Sequence, residues 1–205
     1  NDLTLWTAAV RDAPTSSYAR NQLSTLYINQ GRVPEGLVQL DAAARSARRP
    51  ADQHRFRAYW HLYAGRKEEA AREAREALRA SRSPEVRSDA AFVLGGAGET
   101  AAAIAVYREL VREMPAGSTY VYALAAILSR TGSVSEAAEV LRGYCSRYPG
   151  DPVMEQAYAL VLLRLGFAEA ARERAAVVLR VPPADPRAGE LLAEWSRGVK
   201  SRETP

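Results

Sequence analysis

The chain has 205 residues, 47% hydrophobic and 25% charged, with a net charge of +4, the balance of an ordinary water-soluble domain. One cysteine, Cys145, excludes an internal disulfide, and no apolar run approaches the ~18 residues of a membrane helix. The charge is uneven. Arg45 to Arg87 holds twelve basic and six acidic residues, and all basic residues except Lys67 and Lys200 are arginine.

In chain order, the first element is a helix over residues 1–16. Asp2 can cap it, Leu3, Trp6 and Val10 share one face, and Pro14 ends it. A periodic region follows. Glycines recur at Gly31, Gly65, Gly98, Gly132 and Gly166, spaced 34, 33, 34 and 34 residues apart. Seven residues before each stands a small residue: Ser24, Ala58, Ala91, Ala125 and Ala159. Five residues after each stands another: Gly36, Ala70, Ala103, Ala137 and Ala171. A glycine takes the left-handed turn that ends a first helix. Small residues on both helices then let two backbones approach, and larger ones fill the flanks: Leu23 and Tyr27 with Leu40, Leu94 with Tyr107, Leu124 and Leu128 with Leu141. Pro14, Pro50, Pro84, Pro115, Pro149 and Pro183 are expected to close successive units.

This pattern predicts five helical hairpins over 17–50, 51–83, 84–117, 118–151 and 152–185. One hairpin cannot bury its apolar face alone, so the units stack. Residues 186–205 complete the chain. Asp185-Pro186 starts a capping helix with Leu191, Leu192, Trp195 and Val199 on one face, and a disordered tail follows it.

Catalytic and metal chemistry find little support. His54 and His61 share a helical face, but no Asp or Cys completes a zinc set. The stretch Gly95-Gly96-Ala97-Gly98-Glu99-Thr100 has Glu99 where a phosphate-binding loop needs lysine. Cys145 falls at an apolar helix position. No catalytic residue, cofactor or metal is expected. Between Glu68 and Arg82, acidic and basic residues alternate at three- and four-residue spacings, the pattern of a solvated face laced with ion pairs. The unpaired excess lies in Arg45 to Arg57. It admits an acidic protein or a membrane surface as partner, and less readily nucleic acid.

The stretches LSTLYINQGRVPEGL, ALAAILSRTGSVSEAAEVL and AYALVLLRLGFAEAA resemble the tetratricopeptide repeat family. The resemblance implies an all-α, right-handed superhelix and a protein-binding scaffold rather than an enzyme. Two departures stand out. Arg20, His54, Arg87, Val121 and Glu155 occupy the fourth position, where the family has tryptophan. Arg57 replaces a usual leucine. The resemblance also assigns the concave, peptide-facing positions, which here include Asn21, Thr25, Asn29, Arg55, Tyr59, Tyr63, Phe92, Tyr122 and Arg130. The lysine–asparagine clamp that some members use for carboxylate tails is missing, because no groove position carries lysine. Phe56 and Trp60 are expected in the core. The first two units are the expected docking end, with Arg55 holding an anionic group and Tyr59 and Tyr63 flanking it. The N-terminal stretch LTLWTAAVRDAPTSSYARNQLSTLYINQGRVPEGL also resembles the junction where O-mannosyltransferase-like membrane proteins pass into extracytoplasmic tails. That resemblance favours an extracytoplasmic location for a piece of a longer chain.

Overall fold

The computed structural model describes residues 2–178, and among these every regular element is a helix. They are α1 (Asp2–Asp12), α2 (Ser17–Asn29), α3 (Val33–Ser46), α4 (Pro50–Tyr63), α5 (Lys67–Ala80), α6 (Pro84–Ala97), α7 (Thr100–Glu113), α8 (Ser118–Arg130), α9 (Val134–Arg147), α10 (Pro152–Arg164) and α11 (Ala168–Val178). After α1 they alternate as the first and second helices of hairpins. The expected capping helix and tail lie outside the described residues. The chain divides into two compact units, Asn1–Leu110 and Val111–Pro205, and the division falls inside α7.

The repeat spacing acts as anticipated at the turns. Gly31, Gly65, Gly98, Gly132 and Gly166 all have φ between +76° and +100°. Any side chain is strained in that region, so glycine makes the turn cheaply. The small residues meet inside each hairpin. Ser24, Ala58, Ala91, Ala125 and Ala159 are buried, as are Gly36, Ala70, Ala103, Ala137 and Ala171. In the first hairpin Ser24 Oγ donates to the Gly36 carbonyl at 2.9 Å. A Cβ at position 36 would lie 2.6 Å from Ile28 Cγ1, so α2 and α3 are as close as two backbones allow. Helix α5 takes the same device furthest. Its buried stripe is Ala70, Ala71, Ala74 and Ala77 alone, and it packs on both α4 and α6.

Two local expectations need correction. Pro50 and Pro84 open the following helix rather than closing the preceding one, and Pro152 likewise opens α10. A first-turn residue has no intrahelical use for its N–H, and the fixed φ of proline suits that place. Asp2 lies within the first turn of α1 rather than at its cap. The side-chain caps the structure does show are Ser16, which accepts from Ala19 N at 3.2 Å, and Asp151, which accepts from Val153 N and Met154 N at 3.1 and 3.2 Å.

The apolar core of the first unit centres on Leu40, Ala43, Ala44, Ala47 and Phe56, with Ile28, Tyr59, Trp60 and Tyr63 packed against it. Phe56 is 1% exposed, a burial contributing roughly 1.5–3 kcal/mol. In the second unit Leu124, Leu128, Leu141 and Met154 are the fully covered large side chains.

The missing fourth-position tryptophan has a common substitute. Arg20 Nη1 donates to Gln39 Oε1 at 2.9 Å, and His54 Nδ1 lies 2.7 Å from Glu73 Oε2. Arg87 Nη2 donates to Glu109 Oε2 at 2.8 Å, and Arg174 Nη1 lies 3.6 Å from Glu155 Oε2. Each contact ties the first helix of a hairpin to its own second helix. A polar or ionic bridge thus spans the gap that an indole would fill. In the remaining hairpin Val121 is simply buried.

Candidate functional site

Two groups of the expected groove residues come together, one in each unit. In the first unit Arg55, Tyr59 and Tyr63 lie along α4 and Phe92 on α6. The rings of Tyr59 and Tyr63 stack at 6.2 Å and 10°, and Phe92 tilts against Tyr59 at 5.8 Å. These residues do not face an open groove with free donors. Tyr59 Oη donates to Asp89 Oδ1 at 2.8 Å, and Arg55 Nη1 donates to Asp89 Oδ2 at 3.2 Å. A second carboxylate, Asp52, lies 3.3 Å from Arg55 Nη2.

Burial dominates the electrostatics of this cluster. It holds the Asp89 carboxyl above its ordinary range against the opposing pull of Arg55 and Tyr59. It also raises the Tyr59 hydroxyl well above its ordinary value, and Asp89 raises it further. Tyr63 is raised for the same two reasons. The anion anchor expected at Arg55 is therefore already taken by two carboxylates of the same chain, and Tyr59 is a partner of Asp89. Asp89 had no place among the expected site residues. It stands one repeat length, 34 residues, beyond Arg55, and equivalent helices in successive repeats are neighbours, so the period could have found it.

On α2 the remaining expected residues make no corresponding cluster. Thr25 Oγ1 donates to the Asn21 carbonyl at 3.0 Å, and Asn29 is exposed at the last turn.

In the second unit the expected residues Tyr122 and Arg130 line an open cavity of about 840 Å³ between α8 and α10, with Leu141 of α9 at its floor. The α10 wall carries Val153, Gln156, Leu160 and Arg164. Tyr122, Val153 and Leu160 are 49, 58 and 42% exposed, an unusual amount of large apolar surface for one concavity. Arg164 Nη1 donates to Ser129 O at 3.1 Å and to Ser129 Oγ at 2.5 Å, fixing the far end. Arg130 is exposed, and among the described residues no carboxylate pairs with it.

Cys145 is buried, and its thiol is pushed up to about 12, first by burial and then by the nearby Glu155 carboxylate. A thiol held protonated is a poor nucleophile. Among the described residues no three His, Cys, Asp or Glu side chains gather as metal ligands. No helix among them is long and apolar enough to cross a membrane.

The basic stretch is compensated in part within the chain. Arg45 pairs with Asp41 at 2.7 Å and Arg49 with Asp52 at 2.6 Å. Arg75 pairs with Glu99, and Arg79 with Glu76. Among the described residues, of the ion pairs anticipated along α5 only Arg79–Glu76 runs within the helix, while Glu73 reaches His54 on α4 and Arg75 reaches Glu99 in the turn between α6 and α7.

Alternating hairpins with glycine turns and small-residue crossings define a helical-repeat fold. Residues 89–152 match the tetratricopeptide repeat family. Solved tetratricopeptide-type structures superpose over nearly the whole length. PilW, a type IV pilus biogenesis factor, gives a TM-score of 0.66 at 16% identity, over 91% of this chain and 87% of that one. PilF of Pseudomonas aeruginosa gives 0.62 at 18%, over 91% and 86%. YrrB, a tetratricopeptide-repeat protein with an unusual peptide-binding site, gives 0.56 at 15%, over 92% and 97%. No curated protein matches the sequence significantly. Residues 89–152 carry the family's sequence signature, and the chain shares the all-α helical-repeat fold of these solved structures.

Proposed function

We propose that the chain is a non-catalytic scaffold that docks a partner protein, and that the α8–α10 cavity receives an extended segment of that partner. The observation carrying this reading is the combination in one concavity of three exposed apolar side chains, Tyr122, Val153 and Leu160, with the unpaired cation Arg130. Large rigid apolar groups beside a charge are what peptide anchors need, because they give contact area at low entropic cost. The segment suited to this surface pairs an apolar side chain with a carboxylate. Gln156 adds an amide able to meet a peptide backbone. This places docking in the fourth and fifth hairpins. The first two were the end expected from sequence, but there the Arg55 guanidinium is occupied. YrrB, of the same fold, is described as having a peptide-binding site, which supports the reading by analogy.

The test is selection of displayed peptides on the folded chain, followed by titration calorimetry. Tyr122→Ala together with Leu160→Ala should cost about 2–4 kcal/mol of binding, the scale of losing anchor residues. Arg55→Ala should cost binding little. Selected peptides that bind the double variant normally would refute the α8–α10 assignment.

A further inference from the structure

The opposite side of α4 carries a second, separate concavity. Arg57, Trp60 and His61 stand at i, i+3 and i+4, two residues out of step with Tyr59 and Tyr63, which turns them to the other face of the helix. They meet Asp41, Ala44 and Arg45, at the same spacing on α3, around a cavity of about 260 Å³. Three observations mark it as more than a packing gap. Arg57 is exposed and has no ion pair among the described residues, whereas Arg45, Arg49 and Arg55 each have a carboxylate. His61 Nδ1 is buried with no hydrogen-bond partner, a state folded proteins seldom tolerate without a ligand or water. Arg66 lies over the Trp60 ring at 4.9 Å, which fixes the indole at the rim.

We propose that this α3–α4 cavity is a carboxylate-accepting pocket for an aspartate or glutamate side chain in an acidic segment of a partner polypeptide. Arg57 presents the planar fork that binds a carboxylate through two parallel hydrogen bonds. The His61 ring forms part of the pocket wall. The Trp60 ring covers the methylene stem. The Asp41 carboxylate at the edge selects a singly charged group over a phosphate, because like-charge repulsion grows with the ligand's charge. The pocket does not depend on the α8–α10 groove, and either can fail without the other.

The experiment titrates the full chain with a short oligoglutamate peptide, with oligoglutamine and inorganic phosphate as separate arms. Fluorescence is read and assigned to the pocket by its loss in Trp60→Phe. Oligoglutamate should bind saturably, weaken with salt and exceed both other probes. Arg57→Leu and Arg57→Gln should each weaken it by at least about tenfold, the loss of one charge-assisted pair. Arg130→Gln should leave it unchanged. Arg57→Leu should melt no lower than the wild type, since leucine suits a helix-packing position, so loss of binding in it cannot be put down to unfolding. Equal binding of oligoglutamine would overturn the proposal, as would tighter binding of phosphate or an unchanged affinity in both Arg57 variants. A loss confined to Arg130→Gln would overturn it as well.

Discussion

At the residue scale, the small side chains at the hairpin crossings were fully legible, because backbone approach leaves room for only a few residue types. Ala125 is 3% exposed where its hairpin closes. Ala125→Leu should lower stability by about 1–3 kcal/mol through overpacking, while Arg142→Ala on exposed α9 surface should change it by less than about 0.5 kcal/mol. Urea denaturation midpoints of the two variants decide it, and equal midpoints would show the register to be wrong. The bonding of a polar residue was much less legible. Periodicity puts Arg55 and Tyr59 on an inward face but says nothing about Asp89, which claims both. The Tyr59–Asp89 pair has a pH signature. The Tyr59 hydroxyl is raised in the folded state, so the stability it contributes is complete below the ordinary tyrosine value of 10.0 and is lost as pH rises through the higher folded value. Melting temperature should therefore fall more steeply above that ordinary value in the wild type than in Tyr59→Phe. Parallel alkaline profiles would contradict the pair's buried, coupled state.

At the element scale, the glycine period located the turn inside each hairpin, because a left-handed residue is nearly confined to glycine. Helix starts were less legible. Proline can end one helix or open the next, and only the structure shows Pro50, Pro84 and Pro152 opening theirs. The fourth-position residues looked like isolated departures from the repeat. Four of the five form a series because each reaches the second helix of its own hairpin, and spacing alone does not reveal bonding partners of mixed chemistry. The most demanding bridge is the last. Glu155 is 1% exposed, and its Oε2 has no hydrogen-bond partner beyond the ion pair with Arg174. Arg174→Ala should lower stability by about 1–3 kcal/mol, the cost of leaving a buried acceptor uncompensated. Replacing both residues with methionine should be neutral or stabilising. Chemical denaturation of the single and double variants checks this, and an unaffected Arg174→Ala would show that the bridge holds nothing.

At the scale of the whole molecule, the all-α class followed from period alone, since units that cannot bury their faces singly must stack. The docking end proposed here did not follow. Net charge pointed to the first two hairpins, but charge counts ignore pairing, and Asp41, Asp52 and Asp89 pair with Arg45, Arg49 and Arg55 there. The open cavity in the fourth and fifth hairpins comes from the exposed Tyr122, Val153 and Leu160. Sequence could place these on helices but could not show them left uncovered. Among possible measurements, chemical-shift mapping of the isotope-labelled chain with a display-selected peptide tests the docking claim most directly. The account predicts perturbations concentrated at Tyr122, Arg130, Gln156 and Leu160 on the facing sides of α8 and α10. Perturbations confined to the exposed α9 surface around Glu139 and Arg142, with α8 and α10 silent, would contradict it.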